Sequence, residues 1–273
     1  MRSPPWVMTA AICCVALGAG AGRSDAQAPP VAAATITTEQ FLYDVYSGDP
    51  LQKVGRMRLK ATTVRDVAIL EQEFQAPMGS KDAGFDAQMV YKGADQPRPQ
   101  RGKAVTRMAT FKLMEGTFEF SASSVKVGIT GYADKDQKPL NTPLQSTKDV
   151  TVPQGVVLSY PGFLYYAPRL LPKPGEIQKV SFMAAPANLD YPEMLAFTQD
   201  CVLSRSAPES DGRSEFVLKR VYSGGNAIPM ATLSVDKSGK VIESRFSRFL
   251  LKPQKEEAPS KKAPDAKPAP PPP

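Results

Sequence analysis

Apolar and polar residues alternate along most of this chain, and that pattern constrains its fold more than any other feature. Phe41, Tyr43 and Val45 occupy every second position of the first such run. Because successive side chains of a strand point to opposite faces, a period of two predicts strands with one face toward a core. The sequence therefore predicts a mainly β fold, an antiparallel half-barrel or sandwich, with one or two short helices.

The predicted strands are short and closely spaced. Turn sequences such as Gly48-Asp49-Pro50 and Asp236-Lys237-Ser238-Gly239-Lys240 separate them, and Gly239 is free to adopt the positive φ that a tight hairpin needs. Two polar stretches, near 78–87 and 93–104, are expected to be long loops. We predict strands at residues 41–46, 54–61, 67–74, 88–92, 105–113, 117–130, 177–183, 199–204, 215–222, 230–235 and 241–249.

One segment, residues 160–171, departs from the alternation because it is dense in aromatic and aliphatic residues. Pro161 suits the first turn of a helix, and Pro168 limits the length of that helix. A second helical turn is expected within 186–196. In a half-barrel, the aromatic segment would cap the concave side and line an apolar pocket, or else simply fill the core. The candidate ligand-binding side chains are Tyr160, Phe163, Leu164, Tyr166 and Leu170.

The two ends of the chain differ from its middle. Arg2, an apolar run over residues 6–21 and the small residues of Ser24-Asp25-Ala26 have the order of a secretory signal peptide. We therefore predict a signal peptide at 1–26, a linker at 27–35, a β-rich domain at 36–251 and a disordered Pro/Lys/Ala-rich tail at 252–273. The predicted location is periplasmic or extracellular, with no transmembrane segment once the signal is removed.

The formal net charge of +7 favours an anionic partner. Arg56, Arg58 and Lys60 lie at every second position, so a strand would present all three on one face. We name them as candidate contacts for phosphate or carboxylate groups. The alternative is an ordinary solvated outer face. Nucleic acid is not expected as a partner, because no recognisable binding motif accompanies the charge.

The chain has no histidine, which removes the usual general base and the Ser-His-Asp and Cys-His arrangements. Ser-x-x-Lys occurs at 123–126 and 234–237, but both copies lie in strand-like runs without the companion motifs of serine-lysine enzymes. Cys201 is the one cysteine left after signal removal, so no internal disulfide is expected. We predict a protein without catalytic residues, bound metal or cofactor.

Three landmarks resemble a family of uncharacterised bacterial periplasmic proteins with a curved sheet similar to that of the lipoprotein carriers and their receptors. They are Tyr43-Asp44-Val45-Tyr46 with Val54-Gly55-Arg56-Met57, the aromatic segment before Leu171-Pro172-Lys173-Pro174-Gly175, and the hairpin at Asp236-Lys237-Ser238-Gly239-Lys240-Val241. The resemblance implies a half-barrel of antiparallel strands with a helical element at its mouth. It implies no catalytic residues.

These observations favour an exported, non-catalytic envelope protein that binds a lipid-like or other apolar ligand in a half-barrel. The alternative is a structural or interaction protein that contacts envelope polymers or a protein partner through its sheet face and basic tail. An open pocket behind residues 160–171 would favour the first function, and a filled core there would favour the second.

Overall fold

The structure, a computed structural model, describes residues 35–78, 81–108, 111–133, 138–183, 197–246 and 248–254. The predicted signal peptide, residues 27–34 of the linker and residues 255–273 of the tail lie outside these residues. So does the helical turn expected within 186–196.

The described residues form fifteen strands and one helix. That helix has neither the length nor the apolar character that crossing a membrane requires. In chain order the elements are β1 (Ile36–Ser47), β2 (Gln52–Val64), β3 (Val67–Met78), β4 (Lys81–Lys92), β5 (Arg98–Met108), β6 (Phe111–Phe120), β7 (Ser124–Ala133), β8 (Pro139–Thr151), β9 (Val157–Leu158), α1 (Tyr160–Leu170), β10 (Ile177–Met183), β11 (Phe197–Arg205), β12 (Ser214–Val221), β13 (Ala227–Val235), β14 (Val241–Phe246) and β15 (Phe249–Pro253).

All fifteen strands belong to one open sheet, in the order β8-β7-β6-β5-β4-β3-β2-β1-β15-β14-β13-β12-β11-β10-β9. Neighbours are antiparallel except β9 and β10, which are parallel. The predicted fold class is confirmed: the protein is mainly β, and its sheet is a single curved layer. The first and last strands of the described residues lie side by side in the middle of this sheet, because β1 pairs with β15.

Ring contacts across the sheet show how strongly it curves. Phe74 on β3 and Phe249 on β15 lie on strands three steps apart, which is about 14 Å in a flat sheet. Their ring centroids are 5.3 Å apart. The two rings therefore meet across the concave side, which encloses the core.

The alternation seen in the sequence corresponds to the two faces of this curved sheet. On β2, Met57, Leu59 and Ala61 are buried on the concave side, while Arg56 and Arg58 are exposed on the convex side. The hairpin predicted at Asp236–Lys240 is confirmed between β13 and β14, and Gly239 has a φ of 82°.

The structure corrects several predicted boundaries. The expected loops at 78–87 and 93–104 are largely strands β4 and β5, whose concave side chains include small residues such as Ala87, Gly102 and Ala104 and so give weak alternation. The single strand predicted at 117–130 is two strands, because Ser121 turns the chain and its Oγ accepts a hydrogen bond from the Ser124 amide at 3.0 Å. The strand predicted at 105–113 likewise spans the end of β5 and the start of β6.

Candidate functional site on the concave face

Helix α1 begins where the sequence predicts. Ser159 is its N-cap, and the Ser159 Oγ accepts a hydrogen bond from the Gly162 amide at 3.3 Å. Pro161 lies in the first turn, where its missing N–H costs nothing. The helix continues two residues past Pro168 and ends at Leu170, so Pro168 is tolerated in the last turn.

Helix α1 fills the concave side of the sheet. The adjacent residues Ser159 and Tyr160 bond to Tyr91 on β4 and Ser244 on β14, strands that are five steps apart in the sheet. Only a segment enclosed by the curved sheet can reach both. Unlike a surface helix, α1 is buried on all sides from Pro161 to Ala167.

The five candidate ligand-binding residues are not gathered around one open pocket. Phe163, Leu164 and Tyr166 are buried in the core, and Phe163 has 0% of its surface exposed. A side chain that lined a lipid-sized pocket would expose surface to it. Tyr160 lies at the helix start, and Leu170 is half-buried at the helix end. The core behind residues 160–170 is therefore filled with protein side chains.

Buried hydroxyl groups hold the start of the helix. The Tyr91 hydroxyl accepts a hydrogen bond from the Ser159 amide at 2.9 Å and lies 2.9 Å from the Ser159 Oγ. Its ring packs edge-on against Tyr166, with centroids 5.3 Å apart. Burial raises the pKa of Tyr91 to about 12, although the two hydrogen bonds with Ser159 oppose that shift. The Tyr91 side chain is therefore neutral at physiological pH, and its hydroxyl holds the start of the helix by hydrogen bonds with Ser159.

The exposed end of the helix carries an ion pair. Arg169 donates to both carboxylate oxygens of Glu39 on β1, at 2.9 and 3.0 Å. The guanidinium also covers the ring of Tyr165, 3.7 Å from its centroid, and donates to the Tyr165 carbonyl at 2.6 Å. Because Arg169 and Glu39 are well exposed, water screens much of this attraction.

A second group of aromatic rings lies on the concave face beyond the start of the helix. We call Phe74, Phe85, Phe246 and Phe249 the phenylalanine rim; all four are half-buried and pack against the core. Phe74 is the register partner of Phe85, and Phe246 of Phe249. The contact between the Phe74 and Phe249 rings links the two pairs, and Phe246 stacks on Tyr160 with centroids 4.4 Å apart.

The sequence analysis did not single out the phenylalanine rim. Its members come from β3, β4, β14 and β15, and each looks like an ordinary inward residue of its own strand. Of the predicted candidates, Tyr160 contacts the rim through its ring.

The predicted cationic residues lie on the convex side, away from the rim. Arg58 and Lys60 form ion pairs with Glu73 and Glu71 of β3, the latter at 2.9 Å, and Arg56 donates to Gln75 at 3.1 Å. The hydrogen bond from Lys60 holds the pKa of Glu71 below its ordinary value. Each predicted cation thus has a partner within the chain, and contact with an external anion stays a prediction.

Neither a protein-family model nor a curated protein matches this sequence. Among solved structures, the chain is similar to a β-barrel-like protein of a domain of unknown function, DUF1849, from Brucella abortus. The identity is 10% and the TM-score 0.43, over 79% of this chain and 94% of that one. The resemblance to lipoprotein carriers stays a prediction.

Proposed function

We propose that this protein is an exported, non-catalytic envelope protein that binds a lipid-like or other apolar ligand on its concave face, against the phenylalanine rim. The observation that carries the proposal is the group of four half-buried phenylalanines on neighbouring positions of the concave face, two of which meet ring to ring at 5.3 Å. Covering apolar surface of this kind stabilises a complex by about 25 cal/mol for each Å² removed from water. The ligand site thus lies beside helix α1, whereas the sequence analysis placed it under the helix.

The export part of the proposal rests on the N-terminal sequence, with its basic start, apolar centre and small-residue exit. We expect the mature protein to begin at Gln27. Fractionation of the source cells followed by N-terminal sequencing tests this, and an unprocessed chain in the cytoplasmic fraction would contradict it.

Two observations support a non-catalytic role. The chain lacks histidine. Among the described carboxylates, Glu71 and Glu115 have lowered pKa values. Burial alone would raise the pKa of Glu115, but hydrogen bonds from Lys103 and Lys112 outweigh it. Carboxylates held ionised in this way are poor general acids at neutral pH.

The test is to purify the protein from its native envelope without detergent and identify bound lipid by native mass spectrometry. We expect a stoichiometric apolar ligand on the wild type and its loss from Phe85→Asp, which places a charge within the rim. Ile177→Asp is the matched control, because Ile177 is 70% exposed and lies outside the rim. Circular dichroism verifies that both variants fold. Wild-type protein that is folded and empty would contradict the proposal.

The alternative function, binding a protein partner or an envelope polymer, has support from strand β8. All but two of its 13 residues are exposed, and among the described strands it pairs with β7 alone. Leu144 of this strand is 61% exposed. A free edge with an exposed apolar side chain suits addition of an extended strand from a second protein.

A photo-crosslinking residue at position 144, compared with one at position 177, tests this alternative in intact envelopes. Crosslinks to one defined protein from position 144 alone, lost when that protein's extended segment is deleted, would favour it. Equal or absent crosslinking at the two positions would contradict it.

A further inference from the structure

Arg248 lies in the turn between β14 and β15, beside two members of the phenylalanine rim. Phe246 and Phe249 are register partners on either side of this turn. The Arg248 Cζ lies over the Phe249 ring, 5.1 Å from its centroid, and Arg248 itself is exposed. A solvent-accessible cation is therefore placed at the edge of the half-buried apolar surface that the ligand would cover.

Contacts on both sides hold this turn in place. The Ser47 Oγ, at the end of β1, donates a hydrogen bond to the Arg248 carbonyl at 3.3 Å. On the concave side, the Phe249 ring meets the Phe74 ring, with centroids 5.3 Å apart. Because the Phe249 ring contacts both the rest of the rim and the guanidinium, an apolar chain against the rim can place its head group beside Arg248.

Within the described residues, the Arg248 guanidinium has neither an ion-pair partner nor a hydrogen-bond acceptor. Two other arginines lie over rings but have acceptors in the chain. Arg169 donates to the Glu39 carboxylate at 2.9 Å. Arg205 donates to the Leu171 carbonyl at 3.1 Å. An arginine over a ring keeps planar N–H donors that match two oxygens of a carboxylate or phosphate, so Arg248 can still accept such a partner.

The described carboxylates of strands β3, β4 and β14 lie on the face of the sheet opposite the rim. Glu71 and Glu73 alternate with Phe74 on β3, so they are on the convex side. The same alternation places Asp86 of β4 and Glu243 of β14 on the convex side. These groups therefore do not neutralise the positive charge that Arg248 brings to the rim.

We propose that Arg248 binds the anionic head group of the ligand, a carboxylate or a phosphate, while the apolar chain lies against the phenylalanine rim. This inference rests on the proposed function and specifies its ligand class, an amphipathic anion with one apolar chain. A neutral alcohol would lack the charge-assisted hydrogen bonds to the guanidinium, and a cationic head group would be repelled by it.

The test compares three probes with a ten-carbon chain and different head groups: decanoate, decanol and decyltrimethylammonium. Each displaces the uncharged fluorophore N-phenyl-1-naphthylamine from the purified protein. We expect Arg248→Gln to weaken the binding of decanoate about three- to tenfold, because an exposed, hydrogen-bonded charge pair contributes roughly that factor. The same variant should leave decanol binding unchanged and should not weaken decyltrimethylammonium.

Arg245→Gln is the matched control, because it removes one positive charge from the same hairpin on the other face of the sheet. Arg245 precedes Phe246, lies on the convex side and donates to the Glu243 carboxylate at 2.9 Å. This variant should bind the three probes as the wild type does. In the wild type, decanoate binding should also weaken between about 20 and 300 mM salt, whereas decanol binding should not, because salt screens exposed charge pairs.

The outcomes separate this inference from the proposed function. If the fluorophore and the probes do not bind the wild type, or if they bind Phe85→Asp equally well, the proposed function fails and the inference fails with it. If they bind at the rim but Arg248→Gln leaves decanoate unchanged, or Arg245→Gln weakens it as much, the inference fails and the apolar site stands. Circular dichroism verifies that the variants fold. Should Arg248→Gln not fold, the salt dependence of decanoate binding to the wild type decides.

Discussion

At the scale of single residues, buried hydroxyl groups fix the start of helix α1 to strands on both sides of the sheet. Tyr91 and Ser159 join β4 to the start of α1, and Tyr160 and Ser244 join α1 to β14. Ser244 also donates to the Thr232 carbonyl at 2.8 Å. Hydrogen bonds of this kind contribute little to net stability when made but are costly when one partner is removed.

Tyr91→Phe should lower the free energy of unfolding by about 1–3 kcal/mol, because the buried Ser159 amide loses its acceptor. Chemical denaturation measures the change. Tyr222→Phe is the control: Tyr222 is exposed, so its loss of a hydroxyl should change stability by less than about 0.5 kcal/mol. Equal effects of the two substitutions would show that the Tyr91 hydroxyl does not hold the helix.

The same tyrosine predicts a loss of stability at alkaline pH. Burial raises the pKa of Tyr91 from 10.0 to about 12, so between these values the unfolded chain releases the proton that the folded protein retains. Its contribution to stability is complete below pH 10 and declines as the pH rises toward 12, by up to about 1.4 kcal/mol per unit. The difference in unfolding free energy between wild type and Tyr91→Phe should therefore narrow above pH 10. A difference that stays constant from pH 9 to 11.5 would contradict this prediction.

At the scale of elements, helix α1 is held by burial rather than by its ion pair. Seven of its eleven residues are buried, whereas Arg169 and Glu39 are both exposed to solvent. The helix is too short to be stable alone, and Pro168 removes one of its hydrogen bonds. Packing inside the curved sheet therefore supplies the stability that the isolated helix would lack.

Phe163→Ala should lower the free energy of unfolding by about 3–5 kcal/mol, because the ring is fully buried and its removal leaves a cavity. Glu39→Gln, which breaks the ion pair with Arg169, should cost less than about 1 kcal/mol. Urea denaturation of the two variants gives the comparison. A larger effect for Glu39→Gln would mean that the helix depends on its surface contact.

At the scale of the whole molecule, the last strand completes the sheet. β15 pairs with β1 on one side and β14 on the other, so it joins strands β1–β8 to strands β9–β14. Leu250 and Leu251 of this strand are buried. The pairing of β1 with β15 joins residues that are about 200 positions apart in the sequence. Contacts of such large sequence separation slow folding.

Two truncations test this arrangement. A chain that ends after Gln254 should keep its unfolding free energy within about 0.5 kcal/mol, because the deleted Pro- and Lys-rich residues have no composition for a core. A chain that ends after Phe246 lacks β15 and should lose cooperative unfolding. Circular dichroism during urea denaturation distinguishes them. A cooperative transition at the wild-type midpoint in the shorter chain would contradict the joining role of β15.

Strands with large apolar residues at every second position could be predicted, and strands without them could not. β2 alternates Met57, Leu59 and Ala61 with charged residues, so its period is visible. β8 exposes both faces and needs no alternation, and it was missed. The concave residues of β4 and β5 include Ala87 and Ala104, which are too small to mark a buried face.

For the candidate site, the aromatic segment was recognised, and its role was left open between lining a pocket and filling the core. The sequence shows that residues 160–171 are apolar enough to be buried, yet composition alone does not distinguish a helix that lines a pocket from one that fills the core. The sequence analysis expected a filled core behind residues 160–171 to favour an interaction protein, and the core there is filled. Ligand binding is proposed first because the phenylalanine rim, which is separate from that core, offers half-buried apolar surface.

By itself, then, the sequence determined the fold class, the closing hairpin at Gly239 and the start of α1, because each depends on residues that are neighbours in the chain. Only the tertiary structure decided which strand lies at the join of the sheet, that α1 is enclosed, and that Phe74 and Phe249 meet across the concave side. These features depend on the curvature of the sheet. The curvature is set by the sum of many strand twists and by the side chains that the concave side encloses. It therefore cannot be predicted from the pattern of residues along any one strand.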